Sequence, residues 1–223
     1  MKLKLGMIGG GQGAFIGAVH RIAARMDDEY ELVCGAFSGD AGRSKASGAM
    51  LGLPAQRTYA SYQQLIAGES KLPPGERAQV ISIVTPNHLH FEPAKLAMEN
   101  GFDVILDKPM AFSLAEAKAL KETTEKTGRL FCLTHTYTGY PMVKEARQAV
   151  ASGKLGAIRK IYVEYPQGWL SGFVEGTGNK QAAWRTDPGK SGMAGAMGDI
   201  GTHAFNLAEY VSGLRITKLC ADI

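Results

Sequence analysis

Apolar positions along the first 135 residues alternate between two periods. The segments "KLKLGMI", "YELVCGAF", "AQVISIVT", "FDVILDKP" and "RLFCLTHTY" are short, β-compatible and bounded by turn residues, which predicts five strands. "AQVISIVT" is nearly all apolar and β-branched, the composition of a strand covered on both faces. Between the strands the period lengthens. "GAVHRIAARM" places Val19, Ile22, Ala23 and Met26 at helical spacing, and "GDAGRSKASGAMLGL" predicts a helix with Asp40 as its cap. Residues 61–68 predict a short helix, and "NHLHFEPAKLAMENG" a longer one stopped at Gly101. "SLAEAKALKETTEKTG" opens on a Ser113–Glu116 capping box and closes on Gly128. Strand and helix in regular alternation mean an α/β fold with a doubly wound parallel sheet.

The pattern changes after residue 135. "PMVKEARQAVASG" predicts a helix, "AIRKIYVEYP" alternates like a strand with one exposed face, and residues 167–197 carry no clear period. "DIGTHAFNLAEYVSG" predicts a helix and "RITKLCADI" a last strand. This makes a domain of residues 1–135 and the start of an α+β domain over 136–223, with an open, mainly antiparallel sheet. A terminal strand with nothing beyond it to pair is expected of part of a longer protein.

Composition narrows the function classes. With 45% hydrophobic and 21% charged residues the chain reads as soluble and globular. The net charge of +4 is mild and the basic residues are scattered, which argues against nucleic acid as a partner. No window is apolar enough to span a membrane, and the apolar run after the first lysines breaks into glycine too early for a signal peptide. A cytoplasmic location follows. Cys34, Cys132 and Cys220 lack metal-ligand spacing and are expected as reduced, buried thiols, with no metal site.

The chemistry concentrates at strand ends. In "IGGGQGAFIG", Gly9, Gly11 and Ala14 satisfy G-x-G-x-x-G/A between a strand and a helix, and Gly11, Gly13 and Gly17 offer a second register. Such a turn brings bare backbone and helix N–H groups to a pyrophosphate. A methyltransferase first loop and a merely flexible turn are the alternatives. At the end of strand two, where NAD sites carry an acidic residue for the ribose, the chain has Phe37, Ser38 and Gly39. Ser38 with Arg43 or Lys45 suits a 2′-phosphate, so NADP is favoured over NAD; Asp40 is either helix cap or ribose ligand. Strand three ends in "TPNHLH", where Asn87 and His90 are candidate ribose contacts and His88 a surface residue, and strand four ends in "DKPMA". Lys108, held by the following proline, suits proton transfer or a hydrogen bond to a substrate hydroxyl. In "GDIGTHAFNL", Asp199 and His203 stand four apart, one face of a helix, so the carboxylate can orient the imidazole and raise its basicity; a helix cap plus a core histidine is the alternative.

Taken together, "IGGGQGAFIG", "TPNHLHFEPAKLAMENGFDVILDKPMAFSLAEA", "AAWRTDPGKSGMAGAMGDIGTHAFNL" and "KLCADI" resemble the Gfo/Idh/MocA oxidoreductases along the whole chain. The resemblance implies a Rossmann domain, a C-terminal α/β domain whose sheet often forms the oligomer interface, and hydride transfer between NAD or NADP and a hydroxyl carbon of a sugar, inositol or related polyol. It implies a homodimer or homotetramer in full-length form. Lys108, Asp199 and His203 match the family's catalytic set, with Lys108 and His203 also touching substrate beside Tyr137. Gly9, Gly11, Gln12, Gly13, Phe15, Ile16, Ser38, Arg43, Thr85, Asn87, His90, Asp107, Trp184 and Arg185 match cofactor-side positions. The chain departs from the pattern in Asp107, which replaces a glutamate, in a glycine loop about three residues longer, and in "TGYP", which lacks a usual arginine. It ends as the second sheet begins, about a third short of a typical member. Two other readings stay open: a family enzyme with a tightly held, recycled nicotinamide, such as a transhydrogenating oxidoreductase or NAD-dependent glycosidase, and a non-catalytic dinucleotide sensor.

Overall fold

The computed structural model describes residues 2–192 and 195–222. The chain separates into two compact units, Met1–Thr134 and His135–Ile223. In the first, β1 (Leu3–Gly9), β2 (Tyr30–Ala36), β3 (Val80–Val84), β4 (Asp103–Leu106) and β5 (Phe131–Leu133) form one sheet in the order β2-β1-β3-β4-β5. All neighbours run parallel. A further one-residue bridge joins Gly35 to Thr58, outside β2. Counting that bridge as a vestigial strand, the order is that of the dinucleotide-binding fold, and the direction of travel reverses between β1 and β3.

Six helices carry the crossovers or follow the sheet: α1 (Phe15–Met26), α2 (Ala41–Met50), α3 (Tyr62–Glu69), α4 (Phe91–Glu99), α5 (Leu114–Thr127) and α6 (Pro141–Ala151), the last in the second unit. Local chemistry starts and stops them. Asp40 accepts the Arg43 N–H at 2.7 Å and caps α2. Ser113 and Glu116 form the expected capping box of α5, and Gly128 closes it at φ 65°. The predicted helix at "NHLHFEP" begins instead as a 3₁₀ turn, Asn87–Leu89, before α4 takes over.

The core lies on both faces of the sheet. All five residues of β3 are buried, as its unbroken apolar pattern requires. Ile81, Ile83, Phe102, Val104 and Leu106 pack with Leu65, Ile66, Ala94, Met98 and Leu120 on one face. Met7, Phe37 and Val84 form a smaller cluster with Ile16, Leu51 and Leu53. Within the larger core Glu69 is fully buried yet satisfied: it accepts Arg57 Nε and Nη2 at 2.8 and 2.7 Å, the Tyr59 hydroxyl at 2.9 Å and the Ala78 N–H at 2.8 Å. Burial and the nearby Glu69 push the Cys34 thiol up, so it stays protonated. Cys132 and Cys220 are exposed, contrary to the expectation of three buried thiols.

The second unit is helical among its described residues. It holds α6, α7 (Lys180–Arg185), α8 (Pro188–Ser191) and α9 (Thr202–Ser212), with a π turn at Met197–Gly201 running into α9. α6 packs on α9, and the Arg147 guanidinium sits 4.4 Å from the Tyr210 ring centre. The strands predicted at "AIRKIYVEYP" and "RITKLCADI" are not formed, so the antiparallel sheet is absent among the described residues. The alternating pattern is there, but a strand exists only through ladder bonds to a neighbour, and neither segment has one here. Ile161, Tyr162, Val163 and Tyr165 therefore remain exposed. Met193 and Ala194, within the stretch read as aperiodic, and Ile223, at the end of the last predicted strand, lie outside the described residues. No described helix is long and apolar enough to cross a membrane.

Candidate active site

The glycine turn leaves β1 at the point where the sheet order reverses. Gly9, Gly10 and Gly13 hold φ values of 82°, 71° and 75°, a region closed to most side chains. A Cβ at Gly11 would sit 2.7 Å from the Phe37 carbonyl oxygen, and one at Gly17 only 2.3 Å from the Gly10 Cα. A Cβ at Gly13 would meet nothing within 4 Å. The roles thus divide: Gly9 makes the tight turn, Gly17 lets α1 lie against Gly10 just beyond β1, and Gly13 keeps one side of the loop open. The packing glycine is Gly17, the third of the second register, and Ala14 is the N-cap of α1.

Ala14 brings no side-chain acceptor, so the first-turn amides of α1 have no side-chain cap. An open concave turn at an uncapped helix start fits the pyrophosphate of a dinucleotide. Three side chains missed by sequence reasoning hold this turn. Arg21 reaches back from α1 to the Gly10 carbonyl at 2.8 Å. Ser47 Oγ accepts the Gln12 N–H at 3.1 Å, and Ser44 Oγ accepts the Phe37 N–H at 2.9 Å. They have no short-range signature, since each bond spans seven or more residues. Phe15 is exposed, and Ile16 packs on the Met7 cluster. Beyond β2, Ser38 Oγ accepts the Asp40 N–H at 3.2 Å, and Arg43 is exposed on α2.

After β3 and β4 the ladder ends at Ile83 opposite Leu106, with Asp107 N–H still reaching the Ile83 carbonyl at 3.0 Å. Asp107 Oδ1 then accepts the Lys108 N–H at 2.9 Å and the Thr134 hydroxyl at 3.0 Å. Its carboxylate shapes the turn that carries Lys108, a role the expected cofactor contact did not include. The Lys108–Pro109 peptide is cis. Thr85 donates its hydroxyl to the Leu89 carbonyl at 2.9 Å, Asn87 is buried and His88 exposed. His90 is fully buried, with Nδ1 2.7 Å from the Pro109 carbonyl oxygen and Nε2 2.8 Å from that of Thr85. His90, expected near a ribose, here has both ring nitrogens against backbone carbonyls. Burial holds its pKa below the usual range against the opposing pull of the two carbonyls and Asp107. On the other side of the sheet, His20 Nδ1 of α1 lies 3.0 Å from Ser82 Oγ.

In the second unit, His203 opens α9 and is buried. The Tyr137 ring stands edge-on to it at 4.6 Å between centres, and the His135 ring at 5.5 Å. Tyr137 sits in the 3₁₀ turn Thr136–Gly139, and its hydroxyl bonds that of Tyr165. Burial first, then the Tyr165 bond, push the phenol up to about 12, so it stays protonated and able to donate. Asp199 lies in the π turn, a rare geometry often found at functional positions. Its Oδ2 accepts Arg185 Nε at 3.0 Å. Arg185 also donates to the Gln181 carbonyl at 3.0 Å, and its guanidinium stacks 4.2 Å from the Trp184 ring centre. Arg185 and Trp184, expected on the cofactor, here form the support of Asp199; fourteen residues separate the ion pair, and no local pattern announces it. His135 is a further residue the sequence reading passed over.

Among the described residues no cluster of three or more potential metal ligands exists. Comparison with known proteins identifies relatives of this chain. An uncharacterized oxidoreductase of Bacillus subtilis, YfiI, is 35% identical over 225 residues, covering 99% of this chain and 56% of its own length. The inositol dehydrogenase homolog of Azotobacter vinelandii, solved with NAD+, superposes with a TM-score of 0.90 at 37% identity, over 95% of this chain and 54% of that one. The levoglucosan dehydrogenase of Pseudarthrobacter phenanthrenivorans is 33% identical over 134 residues, 60% of this chain and 33% of its own length. The chain thus spans about half the length of the first two. Residues 3–150 match the model of the oxidoreductase family with an NAD-binding Rossmann fold and residues 143–223 that of the GFO/IDH/MocA C-terminal domain, and the chain belongs to the Gfo/Idh/MocA oxidoreductase family.

Proposed function

We propose that this chain serves an NAD(P)-linked oxidation or reduction at a hydroxyl carbon of a sugar, inositol or related polyol. The observation that carries the reading is the glycine turn: it is open at Gly13, uncapped at α1 and set where the sheet order reverses. The relatives' names, an inositol dehydrogenase homolog and a levoglucosan dehydrogenase, point to the substrate class. When bound, the nicotinamide supplies the hydride chemistry. The rest falls to the protein. The turn from Gly9 to Gly17 holds the pyrophosphate. Ser38 and the exposed Arg43 read the adenosine ribose and favour a 2′-phosphate, since Asp40 is committed to capping α2. Lys108 donates to the substrate hydroxyl, and His203 takes its proton. Asp199, steadied by Arg185, balances the charge that forms on the imidazole. Tyr137, protonated and edge-on to His203, donates to a second substrate oxygen.

The test is a panel of inositols and aldoses offered to the full-length protein with NAD+ and with NADP+, read as absorbance of the reduced cofactor. Turnover with net cofactor reduction is expected, tighter with NADP+. Lys108→Ala and His203→Ala should each lower kcat by about 10² to 10⁴-fold, with cofactor Kd changed less than about threefold. Full turnover in both variants overturns the assignment, and turnover without net reduction replaces it with a recycled cofactor.

A further inference from the structure

Of the two loops that follow β3 and β4, one ends the strand with Thr85 and the other carries Lys108, Pro109 and Met110. Both run beyond the last paired residues of the ladder. Backbone carbonyls in such a place need donors from somewhere other than a neighbouring strand. One side chain stands between the two loops: the His90 ring lies fully buried, 2.7 Å from the Pro109 oxygen and 2.8 Å from the Thr85 oxygen. The neutral ring donates through one nitrogen and abuts the other carbonyl, and only the imidazolium donates to both. A ring fixed at both ends sets the spacing of the loops. The backbone of His90 is itself anchored, its N–H bonded to the Asn87 carbonyl at 3.2 Å and its carbonyl accepting the Ala94 N–H at 3.3 Å as α4 begins. The clasp is therefore built on a helix start rather than on a mobile loop.

Asp107 grips the same segment from the other side. Its Oδ1 takes the Lys108 N–H at 2.9 Å, so the backbone is held at the N–H of Lys108 itself and at the carbonyl of the residue after it. We propose that His90 is a positioning residue for Lys108: its ring clasps the Pro109 carbonyl to the Thr85 end of β3 and so fixes the point from which the lysine side chain starts. The inference rests on the reading of Lys108 as the amine that meets substrate. A misplacement of about 1 Å at a reacting group costs on the order of 10²-fold in rate, so a loosened loop shows in kcat before it shows in binding.

The experiment compares His90→Phe, His90→Gln and Lys108→Ala in the full-length protein. Amide hydrogen exchange is followed over residues 85–89 and 108–112, kinetics on the panel compound turned over fastest, and NADH binding by fluorescence. Phenylalanine keeps the ring and removes both nitrogens, and glutamine returns a donor. His90→Phe should speed exchange in both segments and lower kcat by about 10 to 100-fold, with substrate KM and NADH Kd within about threefold. His90→Gln should recover part of the loss in kcat and in protection. A side chain that only fills space would lower thermal stability without that split between kcat and KM, and glutamine would not restore turnover. Unchanged exchange in both variants overturns the clasp. Faster exchange with full turnover in the His90 variants, while Lys108→Ala is inactive, overturns the positioning role alone. Full turnover in Lys108→Ala overturns the Lys108 reading and the positioning role with it. Should His90→Phe fail to fold, His90→Gln decides: wild-type exchange and kcat in a protein whose Gln amide bridges only one of the loops refute the clasp.

Discussion

The division of labour in the glycine turn makes one substitution, glycine to alanine, act with opposite sign at two helical positions. Gly42 lies in the first turn of α2, exposed, and a Cβ there meets only Asp40 Oδ1 at 3.4 Å, an ordinary contact. Removing backbone freedom from the unfolded chain at such a site stabilises by about 0.4 to 1 kcal/mol. Gly17 lies in α1, buried, and its Cβ would stand 2.3 Å from the Gly10 Cα, 2.6 Å from the Gly10 oxygen and 2.9 Å from the Gly10 carbonyl carbon. Non-bonded carbon atoms settle at about 3.5 to 4.0 Å, so the two backbones must part by more than an ångström. These are main-chain atoms that no rotamer change can move. Overpacking of this kind costs about 1 to 3 kcal/mol or more, which exceeds the entropic gain and leaves a net loss of about 2 kcal/mol. For a chain of this size that is a fall in Tm of about 4 to 8 °C, against a rise of about 1 to 3 °C for Gly42→Ala. The displaced element is the start of α1, so NADH affinity should also fall by at least about tenfold in Gly17→Ala and stay level in Gly42→Ala. Thermal melts and NADH fluorescence titrations on the two variants read both quantities. A Gly17→Ala protein that melts no lower than wild type and binds NADH as well would refute the packing role of Gly17.

Three further outcomes follow from buried polar groups. Glu69→Ala strands the Arg57 guanidinium, the Tyr59 hydroxyl and the Ala78 N–H, and should cost about 3 to 5 kcal/mol in urea unfolding, as breaking a buried pair does; a loss under about 1 kcal/mol would mean that the network is not closed. Ellman's reagent should modify Cys132 and Cys220 in the native protein and Cys34 only after denaturant, because Cys34 is buried and its thiol is held protonated; three fast thiols contradict that burial. Burial, opposed by Asp107, pulls the His20 pKa below its usual value, so between the lowered pKa and about 6.5 the unfolded chain binds more protons than the folded one. Stability is then complete above about pH 6.5 and declines as pH falls below it. Urea midpoints from pH 7.5 to 5 should fall less steeply in His20→Gln than in wild type, and equal slopes would remove His20 from the cause.

What could be read from the sequence separates from what could not by the distance over which each interaction acts. The capping box at Ser113, the Asp40 cap and the helix stops depend on residues within a few positions, and their patterns carry them. The glycine turn was legible as a turn, but which glycine packs on which depends on the register of α1 against β1. A count of G-x-G-x-x-G spacings leaves two registers open, and only the Gly17–Gly10 contact shows which glycine packs. His90 misled for the same reason. A histidine at a strand end reads equally as a ligand group or as a strut, and the deciding facts are two carbonyls, five and nineteen residues away. Arg185 and Asp199 repeat the case across fourteen residues. The unformed strands at 157–166 and from 215 show the limit of pattern itself. Alternation specifies which face of a strand is apolar, whereas the strand's existence depends on an edge that some other part of a sheet must supply. An isolated peptide of residues 157–166 should accordingly show no β signal by circular dichroism in water, since its pattern is complete and its partner is missing.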